Sequence, residues 1–170
     1  LLGRLGEDMV HGFIDRDQAG WSNTPDWDTL GMRATQSYTT TLEKARVRLD
    51  RMVRRIPVGD NTDLFTVAVF QNFLLLVSSV YAGIADRALE LAVEGARNKG
   101  SAFDPQTQHS DDPDIRWQIA DMAIALDSLA PQLQRYALLV DAGGEPPYHW
   151  FRLLSGVKHQ SVEAARSIVD

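Results

Sequence analysis

The chain has no cysteine, so it can build neither a disulfide framework nor a thiolate centre, and it must hold its fold by packing alone. That composition fits a reducing compartment, and a cytoplasmic location is expected. With 7 prolines and 12 glycines in 170 residues, collagen-like and low-complexity classes are excluded. Basic residues are outnumbered 17 to 23, for a net charge of -6, and the acids are spread along the chain. A nucleic-acid binder needs a basic stripe, so no nucleic-acid partner is expected. There is no phosphate loop and no nucleophile-base pair. The four histidines, His11, His109, His149 and His159, stand at no metal-ligand spacing; structural or surface roles are expected, and no metal site.

What is present is a change of pattern partway along. Residues 7–15 alternate loosely, as a strand with one buried face does, and 15–20 carry turn chemistry. Residues 37–47 are rich in Thr and Tyr, which favour a pleated surface; Tyr38, Thr40 and Leu42 are expected on one side, Thr39 and Thr41 on the other. So few strands cannot bury a core, and an incomplete sheet is expected. The dense basic run Arg46, Arg48, Arg51, Arg54, Arg55 reads as a charged, solvated connection.

Beyond it the chain reads as helix. Asp63 or Thr62 can cap an apolar run from Leu64, which becomes amphipathic after Ile84 and should stop near Lys99-Gly100. The run contains Thr66, Gln71, Asn72, Ser78 and Ser79, so we read it as the central helix of a bundle rather than a membrane span. Residues 101–113 are loop. A second helix starts at Asp114 and should be kinked at Pro131. Gly143-Gly144 and Pro146-Pro147 end it, and a third helix runs from about Trp150 onward. The fold class is mainly α with a β segment (α+β): a partial β-domain over 1–56, then long helices of a four-helix bundle over 62–170. Both ends fall within patterned segments and read as cuts, before the last bundle helix in one case. The opening Leu1-Leu2-Gly3-Arg4 has no cleavable apolar core, so no signal peptide is expected.

Among polar residues, Arg33 stands out. It follows Leu30-Gly31-Met32 at a turn before an apolar strand, where a guanidinium fork could bind carboxylate or phosphate, or pin the turn to the helical domain by a salt bridge. The tryptophans Trp21, Trp27, Trp117 and Trp150 read as packing residues, Trp27 lying nearest that corner. The Asp111, Asp112, Asp114 cluster reads as a helix start, with acids at the positive dipole end.

Four strings in order resemble the acyl-CoA dehydrogenase superfamily where its middle β-domain meets its C-terminal helices. They are Trp27-Asp28-Thr29-Leu30-Gly31-Met32-Arg33-Ala34-Thr35, a Val47-Arg48 turn, Tyr81-Ala82-Gly83-Ile84-Ala85 through Ala88-Leu89, and Gln118-Ile119-Ala120-Asp121-Met122. The resemblance implies FAD held between the β-domain and the bundle of a homodimer or tetramer. It further implies α,β-desaturation of an acyl-CoA thioester, with an electron-transfer flavoprotein as partner. Arg33, Thr35, Ser37 and Lys99 are the cofactor-side residues it suggests; no catalytic residue is nominated, because the family's usual glutamate falls past Asp170. As it stands, the chain is not expected to be competent alone. Lys99-Gly100-Ser101-Ala102-Phe103 departs from the family's R-x-x-F-G. Gln71-Asn72-Phe73-Leu74 replaces the acidic-Arg element that meets CoA. Those departures point toward the superfamily's reduced-flavin monooxygenases, which rely on a flavin reductase, as the second reading. A catalytically silent structural subunit is the third.

Overall fold

The computed structural model describes residues 2–59, 63–102, 104, 106–143 and 148–170. The calls made on Thr62, Phe103, Gly144 and Pro146-Pro147 lie outside them. The chain divides into two compact units, Leu1–Thr66 and Val67–Asp170.

The first unit holds a three-stranded antiparallel sheet, β1 (Leu2–Leu5), β2 (Asp8–Gly12) and β5 (Met52–Pro57), in the order β1-β2-β5. A separate ribbon pairs β3 (Trp21–Thr24) with β4 (Thr39–Leu42). β1 and β2 form a hairpin whose turn places Gly6 at φ +63, a conformation glycine reaches without a Cβ penalty. Sequence reading merged this region into one strand over 7–15. The paired segment is shorter because the ladder slips into a bulge between His11 and Gly12.

Two further expectations are corrected here. The basic run is a connection only in part: all five arginines are exposed and Arg46 and Arg48 precede the strand Met52–Pro57, but Arg54 and Arg55 lie on that strand and are paired. Arg55 bonds Asp8 at 2.5 Å across the β2–β5 ladder, and Arg54 bonds Asp63 at 2.5 Å. Arg48 and Arg51 reach Asp50 and Asp15. The turn out of the sheet is therefore not at Val47-Arg48 but follows Pro57, at Val58 and Gly59. β4 forms within the expected strand, and all four of its residues are exposed, so neither of its faces is buried. Ile56 is the buried apolar residue of this sheet, while Leu2, Leu5, Phe13 and Val53 stay exposed.

The second unit is three helices: α1 (Leu64–Asn98), α2 (Pro113–Asp141) and α3 (Trp150–Val169). α1 starts where Asp63 accepts hydrogen bonds from the Phe65 and Thr66 amides, an N-cap that fills two of the four unpaired first-turn donors. Asp112 caps α2 through the Asp114 amide, with Pro113 at the first helical position, where its missing N–H costs nothing. The helix continues through Pro131, so the expected kink does not end it.

α3 supplies the largest share of the buried residues. Leu154, Val157, Ser161, Ala165 and Ile168 are buried at steps of three and four, a seam that keeps one face inward over about four turns. Tyr81, Ala85 and Ala88 of α1 and Met122, Ala125 and Leu126 of α2 close on Ala165 and Ile168. Buried Ser78 and Ser161 return their hydroxyls to the carbonyls four residues back, so neither leaves a polar atom unmet. α1 is long and apolar enough to cross a membrane by length and composition alone, a test that a bundle's core helix also passes. Val69, Phe70, Phe73, Leu76, Val80 and Ile84 are exposed along it.

Asp63 makes a testable link between pH and stability. The Arg54 guanidinium beside it, followed by the two amides, holds its carboxyl below the ordinary value of 3.8. A carboxyl depressed in the folded state stabilises at pH values above the unfolded pKa and loses that contribution as pH falls through the folded one. Asp63→Asn, which keeps a capping oxygen but not the charge, should lower the melting temperature at pH 7 and converge with the parent near pH 2. Parallel melting curves down to acid pH that never converge would contradict this.

Candidate functional site

The corner between β3 and β4 is where the polar chemistry of the first unit gathers. Asp26 closes its base: one carboxylate oxygen accepts the Thr39 amide at 2.8 Å and the other the Thr39 hydroxyl at 2.5 Å. The Thr39 hydroxyl, then its amide, hold the Asp26 carboxyl below its usual range. Inside the loop the Met32 carbonyl is a hub. It accepts the Trp27 indole N–H at 3.0 Å, the Thr35 hydroxyl at 2.7 Å and the Thr35 amide at 3.1 Å.

Met32 and Gln36 both sit in the left-handed region, at φ 57 and φ 47, and bracket a single 3-10 turn, Arg33–Thr35. Non-glycine residues there cost on the order of 1 kcal/mol each, and such conformations persist where surrounding bonds fix them. The Met32 hub and the Asp26 clasp supply those bonds. One product of the turn is that the Thr35 and Ser37 hydroxyls meet at 3.0 Å on an exposed face.

Three of the four residues singled out from the sequence are thus brought together: Arg33, Thr35 and Ser37. Arg33 is largely occupied within the loop, bonding the Asp28 carboxylate at 2.7 Å and the Thr29 carbonyl at 3.0 Å. The salt bridge it makes is to Asp28 within the same corner rather than the expected one to the helical domain. Lys99 belongs to the second unit. It lies exposed just past α1, its carbonyl accepting the His109 amide at 3.0 Å and its ammonium making no ion pair among the described residues. No cluster of three metal-ligating side chains occurs among the described residues.

Sequence reasoning missed Asp26, whose role depends on a partner thirteen residues on. It also missed a cleft of about 430 Å³ between α2 and α3. Gln132, Arg135, Tyr136 and Leu139 form its α2 side, at i, i+3, i+4 and i+7. That spacing, with polar residues inside an otherwise apolar stripe, was the available signal.

The architecture is a β segment followed by a sheaf of long helices, and it has counterparts. No family-level sequence profile matches the chain. Dibenzothiophene monooxygenase of Mycolicibacterium goodii is 30% identical over 143 residues, 79% of this chain and 34% of that protein. A putative acyl-CoA dehydrogenase of Bacillus subtilis, YdbM, is 26% identical over 92% of this chain and 39% of its own length. Among solved structures, the complex of TdsC from Paenibacillus sp. A11-2 with FMN and indole superposes at a TM-score of 0.72. It is 26% identical, and the match covers 94% of this chain and 42% of that one. These define an acyl-CoA dehydrogenase-like α+β fold. The chain belongs to the acyl-CoA dehydrogenase superfamily, and it spans well under half the length of these relatives.

Proposed function

We propose that the protein carrying this chain is a flavin-dependent oxidoreductase working as a monooxygenase on an apolar, aromatic-sized molecule. The observation that carries this reading is α1. From Leu64 to Ala85 it has no charged side chain, and Phe70, Phe73, Leu76 and Val80 are exposed along it. A CoA thioester brings several phosphate charges, and this helix offers them no counter-charge. An aromatic substrate matches such a face. The likeness to a monooxygenase and to a complex containing FMN and indole supports the same choice. Desaturation of an acyl-CoA by FAD, with an electron-transfer flavoprotein as acceptor, is the second reading, supported by the likeness to YdbM.

The Thr35 hydroxyl donates to the Met32 carbonyl and the exposed Ser37 hydroxyl donates to Thr35, so what each has left is acceptor capacity, suited to an N–H on the polar edge of a flavin ring. Arg33 would orient the loop. When bound, the flavin supplies two-electron redox chemistry and, once reduced, reactivity toward oxygen. Lys99, in the other unit, is a separate cofactor-side candidate, tested by its own substitution. A reductase delivering reduced flavin is the partner this reading requires, with a dimer or tetramer as the assembly.

The deciding experiment uses the protein as isolated, loaded with FAD or FMN. Under anaerobic conditions a panel of acyl-CoAs should leave the flavin's visible absorbance unchanged. With reduced flavin and oxygen, indole should yield an oxygenated product. Bleaching by any thioester would replace this reading with the dehydrogenase one. Thr35→Val and Ser37→Ala should each weaken flavin binding up to about tenfold, the scale of one hydrogen bond; unchanged titrations would remove the corner from the site.

A further inference from the structure

The cleft between α2 and α3 has a composition that the flavin reading does not use. Most arginines of this chain have acidic partners: Arg51, Arg54, Arg55 and Arg116 reach Asp15, Asp63, Asp8 and Asp111. Arg135 on α2 and Arg152 on α3 have none among the described residues, and both line this cleft. In a chain of net charge -6, no aspartate or glutamate among the described residues lines it with them. Two uncompensated guanidinium groups facing one cavity raise its potential and suit a carboxylate or phosphate, which each can hold through two parallel N–H bonds.

Position on the fold adds to this. His149 is the N-cap of α3 but its side chain makes no capping hydrogen bond, and the first turn of α3, which contains Arg152, holds no acid, so the positive end of a 20-residue helix dipole adds to the arginine's charge. The floor is apolar, formed by Leu153, Val157 and Tyr136. Tyr136 is only 4% exposed, and its hydroxyl completes no hydrogen bond. Burial pushes the phenol up from its ordinary value, an effect partly offset by Gln71, which stands near the hydroxyl but does not reach hydrogen-bond geometry, so Tyr136 stays a neutral donor. Gly156 lies at the wall with open space where a Cβ would stand. A volume of about 430 Å³ lies in the range of small-molecule sites.

We propose that this cleft binds a small organic anion, a phosphate monoester or carboxylate with an apolar or aromatic body. The anionic group sits between Arg135 and Arg152, and the body lies on Leu153 and Val157. The proposal stands independently of the flavin reading, since it concerns different residues and uses neither flavin nor turnover.

Phenyl phosphate and phenylacetate, titrated calorimetrically into the protein, test it, with inorganic phosphate and benzyl alcohol as the half-ligands. At least one of the two amphiphilic acids should bind saturably, and at least tenfold tighter than either half-ligand. R135Q/R152Q should weaken that binding at least tenfold, the effect of losing charge-assisted bonds. G156F keeps both arginines, fills the cleft and should abolish binding. Circular dichroism spectra matching the parent establish that each variant is folded, and G156F alone decides the matter if the double variant is not. No saturable binding of either acid, binding unchanged by both variants, or inorganic phosphate binding as tightly as phenyl phosphate would each overturn the proposal.

Discussion

Leu154→Ala should lower the stability of the protein by about 3–4 kcal/mol, at the upper part of the range for a fully buried leucine. Leu154 is completely inaccessible, at the N-terminal end of the α3 seam. Its cluster draws on all three helices: Tyr136, Leu133 and Val140 of α2, Leu74 and Leu75 of α1, and Val157, Trp150 and Leu153 of α3 itself. Neighbours contributed by three separate helices cannot collapse together into the vacated space, so the transfer loss and the cavity cost add. Converted to temperature, the change is on the order of 10 °C for a chain of this size. Leu138→Ala is the matched control, because Leu138 is 60% exposed and should change stability by less than about 0.5 kcal/mol. Urea unfolding of both variants checks the pair. If Leu154→Ala costs under about 1.5 kcal/mol, the core described here is not where the helices are held.

That seam also shows what was readable in advance. The three helices were legible because their apolar spacing is local and their starts carry chemistry: Asp63 and Asp112 cap as their positions suggested. The end of α1 at Asn98 falls beside the Lys99-Gly100 signal. The β segment was less legible. Strands β1, β3 and β5 depend on partners up to about fifty residues away, such as Arg55 opposite Val10, and no local pattern announces such pairing. β5 was hidden further by its arginines, which sequence reading assigned to solvent. Asp8 and Asp63 neutralise two of them, and those partners are visible only in three dimensions. The corner was half legible: Arg33, Thr35 and Ser37 are close in sequence and stay close in space. The Met32 carbonyl that organises them has no side-chain signature, and neither does the left-handed backbone at Met32 and Gln36. The α2–α3 cleft went unread because it takes half its lining from each of two helices.

Gly20→Ala is the second large effect expected, and it reaches the proposed flavin corner through the backbone. Gly20 adopts φ +84, and a Cβ built there would stand 2.2 Å from the Glu43 carbonyl oxygen, with the Ala45 amide nitrogen at 3.0 Å. The left-handed conformation alone costs an alanine roughly 1–2 kcal/mol. The clash is with main-chain atoms, which cannot swing aside as a side-chain tip could. Relief requires breaking the Glu43 amide bond to the Gly20 carbonyl, now 2.8 Å, so the total should be about 3 kcal/mol or more. That bond adjoins the first pair of the β3–β4 ladder, Trp21 opposite Leu42, and the register it sets carries along to Thr24 opposite Thr39. Thr39 is the residue Asp26 clasps, and a one-residue slip would move its hydroxyl to the other face of the ribbon. Gly20→Ala should therefore lose flavin affinity as well as stability, although no ligand is expected to touch Gly20. Gly31→Ala separates the two causes. Gly31 lies within the corner, has no atom within 4 Å of a built Cβ and does not require a positive φ, so its variant should melt like the parent. Flavin titration and thermal unfolding of both variants give the answer. A Gly20→Ala protein that melts early yet binds flavin as the parent does would mean that the corner holds its shape without the ribbon, by the Met32 hub alone.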